Sequence, residues 1–202
     1  MKDRRWTGLA SWIGETMRML DLALEAGLVG VQLERVDLRG RNLSGANLTN
    51  ANLRMADLTD ANLRGITAVH TDFSGAKLLR ADLEGANLVA ADFTGAYLRA
   101  ANFSHAKMWA TMLRRVSAKN AIFFHADMTY VDFNGGEFLG SQFNGAILDG
   151  ARNVDRAIFY WWFPSDKGKP VYEARPGYVR RERSAMGGIS LPENAGRRSY
   201  DG

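Results

Sequence analysis

The chain has 202 residues, 46% of them hydrophobic, enough to build a sizeable core and too many for wholesale disorder. It contains no cysteine, which excludes disulfides, thiolate chemistry and Cys-ligated zinc. The net charge of +4 is unevenly placed: residues 1–30 carry four basic and four acidic groups, residues 31–150 twelve of each, and residues 151–202 ten against six. The body is neutral and the C-terminal part basic.

The N-terminal stretch "MKDRRWTGLASWIGETMRML" has a basic tip, and its apolar run is soon broken by Glu15 and Arg18. That pattern does not read as a signal peptide. No run of about 18 apolar residues follows anywhere, so no membrane span is expected. The expected location is the cytoplasm or a soluble assembly such as a virion. Residues 8–27 read as one amphipathic helix with Gly27 as its C-cap. Trp12, Met19, Leu22 and Leu24 would cover the end of whatever follows, making 1–30 a helical cap.

From residue 31 the chain repeats itself every five residues. A large apolar residue, the centre, recurs at Leu33, Leu38, Leu43, Leu48, Leu53, Leu58 and Leu63, then through Phe73, Phe93, Phe103, Leu113, Phe123 and Phe133 to Phe143 and Leu148. Small centres, Ala68 and Ala118, interrupt the series. Twenty-four pentads fill 31–150 without insertion or deletion. Two residues before each centre sits a small residue, most often Ala, and two residues after it Gly recurs.

Five is the period of neither a helix nor a strand. Two inward positions per pentad imply a short extended piece and then a corner. Gly at the third position of a type II turn supplies the positive φ such a corner needs. Four corners close a square, so the chain climbs as a coil of twenty residues. Where a centre shrinks, the preceding inward residue grows: Ile66 before Ala68 and Val116 before Ala118, as a close-packed interior demands.

The frame continues weakly through Ile158 and Phe163, ending in the aromatic plug "AIFYWWFP" with Trp162. The expected solenoid therefore spans 31–163. Beyond it, 164–202 gains Gly, Pro and Arg, which predicts a short hairpin around 170–182 and then an extended basic arm. Tyr178, Arg180, Arg181 and Arg183 lie on that arm.

The repeated "A(N/D)LXX" motif resembles the pentapeptide-repeat family over about 60% of the chain. The resemblance implies an all-β solenoid, a right-handed quadrilateral β-helix of about six coils. Coils stacked at ~4.8 Å would make a rod about 29 Å long. The core columns would be Leu53, Phe73, Phe93, Leu113 and Phe133 on one side and Phe103, Phe123 and Phe143 on another.

No catalytic constellation is evident, so no enzyme, cofactor or metal is expected. His105 and His125 are twenty residues apart and should stack on adjacent coils, but no third His shares their column. The glycines sit at corners of the frame rather than before a helix, so they form no phosphate loop. The outward residues Val69, Val89 and Trp109 form an apolar ladder with Tyr130 and Ile147 nearby, and a contiguous apolar patch marks a partner surface. A second face carries Lys77, Arg80, Arg99 and Lys119, with Arg114 and Arg115 across a corner. It reads as a solvated charged face.

Taken together, these features describe a non-enzymatic structural or adaptor protein. It would be part of a larger assembly, held by its solenoid faces and its arm, with Val69, Val89, Trp109, Tyr130, Trp162, Tyr178, Arg180, Arg181 and Arg183 as interface residues. Homo-oligomers fit the same reading. The family resemblance implies an alternative, since some members bind DNA gyrase as duplex mimics and protect it from quinolones. Such mimicry needs acidic columns. Only Asp72, Asp92 and Asp132 form one here, interrupted by Met112. A second alternative is nucleic-acid contact through the basic tail, where "GYVRRER" and "GRRSY" lie.

Overall fold

The computed structural model describes residues 28–159, 163–164 and 170–171. Its architecture follows from where the backbone donors of one pentad go. In residues 51–55, the centre Leu53 donates to the Asp72 carbonyl at 2.8 Å and the corner Met55 to Ser74 at 2.9 Å, both on the next coil. Asn52 donates to Val31 on the previous coil, and Ala51 closes the turn onto Leu48. The fifth donor, the Arg54 N–H, is taken by the Asn52 side chain at 3.1 Å. All five N–H groups are satisfied, as buried backbone requires. This is why Asn or Asp precedes so many centres: the ladder leaves one donor over, and a short carbonyl-bearing side chain accepts it.

Repeating this pattern gives parallel bridges between residues i and i+20, unbroken from Gln32↔Asn52 to Asp132↔Arg152. Each coil therefore has four sides of five residues. The structure is a β-solenoid without long strands, because every fifth residue turns the chain. The corner residues from 30 to 150 all have positive φ, whether or not they are glycine. Leu28 is already in the frame, buried and donating to Asn47.

The core is the stack of centres and small inward residues. Phe73 lies on Phe93 with ring centroids 4.7 Å apart, and Phe103, Phe123 and Phe143 stack at 5.1 and 4.9 Å. The two columns meet edge to face through Phe93 and Phe103. Leu53, Leu113 and Phe133 are buried as well, and so are Ile66, Ala68, Val116 and Ala118. Above Ala118 sits the larger Phe138, and its pentad carries Gly136 at the small inward position. A Cβ there would come within 2.6 Å of the Phe138 ring and 3.0 Å of the Leu113 carbonyl. Thr71 and Thr111, also inward, give their hydroxyls to the carbonyls of Leu48 and Leu88.

The frame slips by one residue near its end. A 3₁₀ turn at Val154–Arg156, entered through left-handed Asn153, makes the last bridge Glu137↔Ile158, an offset of 21. The reading of Ile158 as a centre is thereby corrected. Ile158 faces outward at 37% exposure, while Phe159 packs on the core and stacks on Phe138 at 5.2 Å. Phe163 does not continue the solenoid either. It belongs to β1 (Phe163–Pro164), which pairs antiparallel with β2 (Pro170–Val171). The hairpin expected around 170–182 thus begins earlier for these residues, and 172–182 lie outside the described residues. The same holds for the N-terminal helix 8–27, for Trp162, and for Tyr178, Arg180, Arg181 and Arg183. Among the described residues no helix is long and apolar enough to cross a membrane.

Candidate interaction surfaces

Outward positions repeat every twenty residues, so the four sides of the solenoid display columns of side chains. One column holds Val69, Val89 and Trp109, linked through their carbonyls to the corner N–H groups of the coil below. Val69 and Val89 are half-buried, and Trp109 is 47% exposed. Tyr130, at a corner one coil further on, is 49% exposed and meets Trp109 edge to face at 5.8 Å. Its ring also covers the Gly150 corner, where a Cβ would collide with it. Ile147 is exposed on the same side. An exposed Trp–Tyr pair carries a large apolar area with little rotamer entropy to lose, which favours contact with another surface.

The basic columns are less bare than their sequence. Arg80 donates to both oxygens of Asp60 at 2.6 Å, and Lys77 lies 3.7 Å from Asp57. The Arg80 hydrogen bonds hold the Asp60 carboxyl below the usual carboxylate range. Elsewhere Arg39 does the same to Asp37, lowering it to about 2. Such exposed pairs add little stability, but they remove charge from the faces that carry them. Arg99 and Lys119 have no ion pair among the described residues. Tyr97, which the sequence reading passed over, stands beside Arg99 at 57% exposure.

Across the next corner, Thr94, Arg114, Arg115, Asp132, Asn134 and Asn153 line an open cleft of about 380 Å³. Its floor is Asp132, only 3% exposed. One oxygen of Asp132 accepts Arg114 Nε at 2.7 Å. The other accepts Asn153 Nδ2 at 2.7 Å and the Asn134 N–H at 3.1 Å. Burial alone would push this carboxyl up, but the bonds from Asn153, Arg114 and Asn134 outweigh it, and the group sits below the ordinary range. Asn153 was invisible as a ligand in the sequence because it reaches Asp132 only through the one-residue slip.

His105 and His125 stack as parallel rings 5.4 Å apart, and a Cβ at the next corner, Gly145, would strike the His125 ring. The column is a pile of flat groups on a glycine step. Among the described residues no three His, Cys, Asp or Glu side chains gather in a metal-binding group. Several polar outward residues serve the turns: Asp72, Asp92, Asn102 and Asp127 each accept the N–H two residues on.

Eight copies of a motif described as pentapeptide repeats match residues 26–65, 69–104 and 101–138. Among solved structures, the chain is similar to a trypsin-treated variant of QnrB1, described as a plasmid-mediated fluoroquinolone resistance protein. The identity is 20% over 60% of this chain and 78% of that one, with a TM-score of 0.34. It is also similar to a pentapeptide repeat protein from Nostoc PCC 7120, at 29% identity over 50% of this chain and 78% of that one, with a TM-score of 0.34. A third, a pentapeptide repeat protein from the cyanobacterium Cyanothece 51142, is 27% identical over 67% of this chain and 99% of that one, with a TM-score of 0.27. No functionally curated protein matches the chain. With the repeat matched over more than half of its length, the chain belongs to the pentapeptide-repeat family.

Proposed function

We infer that this protein is a non-enzymatic binding protein, a rigid rod whose faces dock protein partners within a larger soluble assembly. The observation that carries the reading is the exposed Trp109–Tyr130 pair at the end of the Val69–Val89 column. The pair's contact with each other and with the Gly150 corner leaves about half of each ring in water, and aromatic anchors of this kind dominate protein interfaces. The residues 164–202, with Tyr178, Arg180, Arg181 and Arg183, would add a second contact to the same assembly.

The test is partner capture from the source lysate on the full chain, on the chain with Trp109→Ala and Tyr130→Ala, and on residues 1–163. Structural subunits retained by the full chain and depleted about tenfold by the double substitution support the reading. Loss only on truncation would move the contact to the arm. Gyrase subunits held equally by all three would replace this reading with topoisomerase binding. Capture that is unchanged by the aromatic substitutions and by truncation removes the proposed faces altogether.

A further inference from the structure

We propose that the cleft between Arg114 and Arg115 is a docking site for a carboxylate side chain of the protein partner. The inference rests on the rod being a protein-binding surface and names the chemistry of what it binds.

On this side of the solenoid the residue before the centre is in turn Gln32, Asn52, Asp72, Asp92, Met112 and Asp132, so Met112 lies between two Asp coils. Each Asp accepts the N–H two residues on, from Ser74 at 2.8 Å, Thr94 at 2.7 Å and Asn134 at 3.1 Å. At Met112 a thioether stands where the coils on either side have the carboxylates of Asp92 and Asp132. The Arg114 N–H is left with no acceptor among the described residues. The backbone repeats from coil to coil, so this donor lies where the Ser74, Thr94 and Asn134 N–H groups bind a carboxylate oxygen.

The side chains around the gap suit the same ligand. Arg114 commits Nε to Asp132, and neither of its Nη groups has a partner among the described residues. Arg115, at the adjoining corner, has no ion pair among them and is exposed. Thr94 and Asn134 line the cleft from the coils on either side. Asp132 accepts from Arg114 Nε, Asn153 and the Asn134 N–H, and from neither the Arg114 N–H nor its Nη groups. Among the residues that line the cleft, two guanidinium groups face one carboxylate, an excess of one positive charge that a single carboxylate neutralises. Planar guanidinium groups bind it through paired N–H donors. A nucleic-acid backbone fits worse: its repeating phosphates would lie against Asp92, Asp72 and the exposed Glu137.

The experiment is an NMR titration of the full ¹⁵N-labelled chain with an acetylated peptide of alternating Glu and Leu. Its Gln-for-Glu counterpart and a short DNA duplex are titrated in parallel. The Glu peptide is expected to shift the Arg114 amide downfield, with smaller shifts at Thr94, Arg115 and Asn134, and the Gln peptide to shift none of them. Arg115→Gln should weaken the Glu peptide about tenfold. Met112→Asp, which restores the missing carboxylate within the chain, should abolish binding while leaving the thermal midpoint unchanged or raised. Binding that survives Met112→Asp, shifts scattered over Arg54, Arg64 and Arg99, or tighter binding of the duplex would each overturn the proposal. Silence of the Glu peptide while partner capture still depends on Trp109 and Tyr130 removes this inference alone. Loss of that dependence removes the broader reading.

Discussion

At the corners, single residues bear a conformational cost that the solenoid imposes on them. Eleven of the positive-φ corners are glycine, but Arg35, His70, Ala100 and Tyr130 adopt the same φ of 55–59°. For an L-residue that region is unfavourable by roughly 1–2 kcal/mol. It persists because the corner N–H is tied to the next coil, as Ala100 is to Lys119 at 2.9 Å. The glycine recurrence in the sequence therefore marked true corners. It could not show that the other corners bend identically, because the constraint comes from the neighbouring coil. Gly95 and Ala100 isolate the effect. A Cβ at Gly95 would meet nothing within 4 Å, so only backbone strain opposes one. Gly95→Ala should lower stability by about 1 kcal/mol, and Ala100→Gly should change it in the opposite direction by up to about 1 kcal/mol. Midpoints of denaturant unfolding at constant slope measure both. Shifts of the same sign would contradict the account.

At the scale of the pentad, the Asn or Asp before the centre has a job that the sequence shows only as a preference. The coil ladder and the turn use four of five N–H groups, and the fifth depends on that side chain. This predicts a pattern in hydrogen exchange. The N–H groups of Thr94, Ser104 and Asn134, bonded to Asp92, Asn102 and Asp132, should exchange about tenfold more slowly than those of Arg99, Trp109 and Lys119. The latter follow Tyr97, Lys107 and Ser117, which accept nothing from them among the described residues. NMR-detected exchange in native buffer reads both sets at once, and equal rates would refute the assignment. The slip at Asn153–Arg156 was not legible for a related reason. Ile158 and Phe159 are both apolar, and only the bridge to Glu137 decides which faces inward.

For the whole molecule, the five-residue period was enough to read the solenoid, because one rule fixes every coil. The same rule made the Val69–Val89–Trp109 ladder legible, since it runs along a column at spacing twenty. The Arg114 cleft was not, because its key pairing crosses columns at a spacing of 18 and its other ligand depends on the slip. That diagonal pairing also bears on the alternative function. Residues 28–159 carry fourteen basic and thirteen acidic side chains, so the rod as a whole is near neutral. Its short acidic column, Asp72, Asp92 and Asp132, is broken at Met112 and partly engaged by its own structure. Asp72 bonds Ser74 and pairs with Arg54, Asp92 holds the Thr94 N–H, and Asp132 is sealed beneath Arg114. With Asp72 and Asp132 each paired to an arginine and Met112 between Asp92 and Asp132, the column does not reproduce the regularly spaced charge of a phosphate backbone. The full chain should therefore leave DNA gyrase supercoiling unchanged at a large molar excess and give no protection from a quinolone. A plasmid supercoiling assay at low salt, where electrostatic mimicry is strongest, is the most permissive test. Inhibition there would mean that shape alone, without matching charge, suffices to occupy the enzyme's duplex site, and the rod itself would become the active surface.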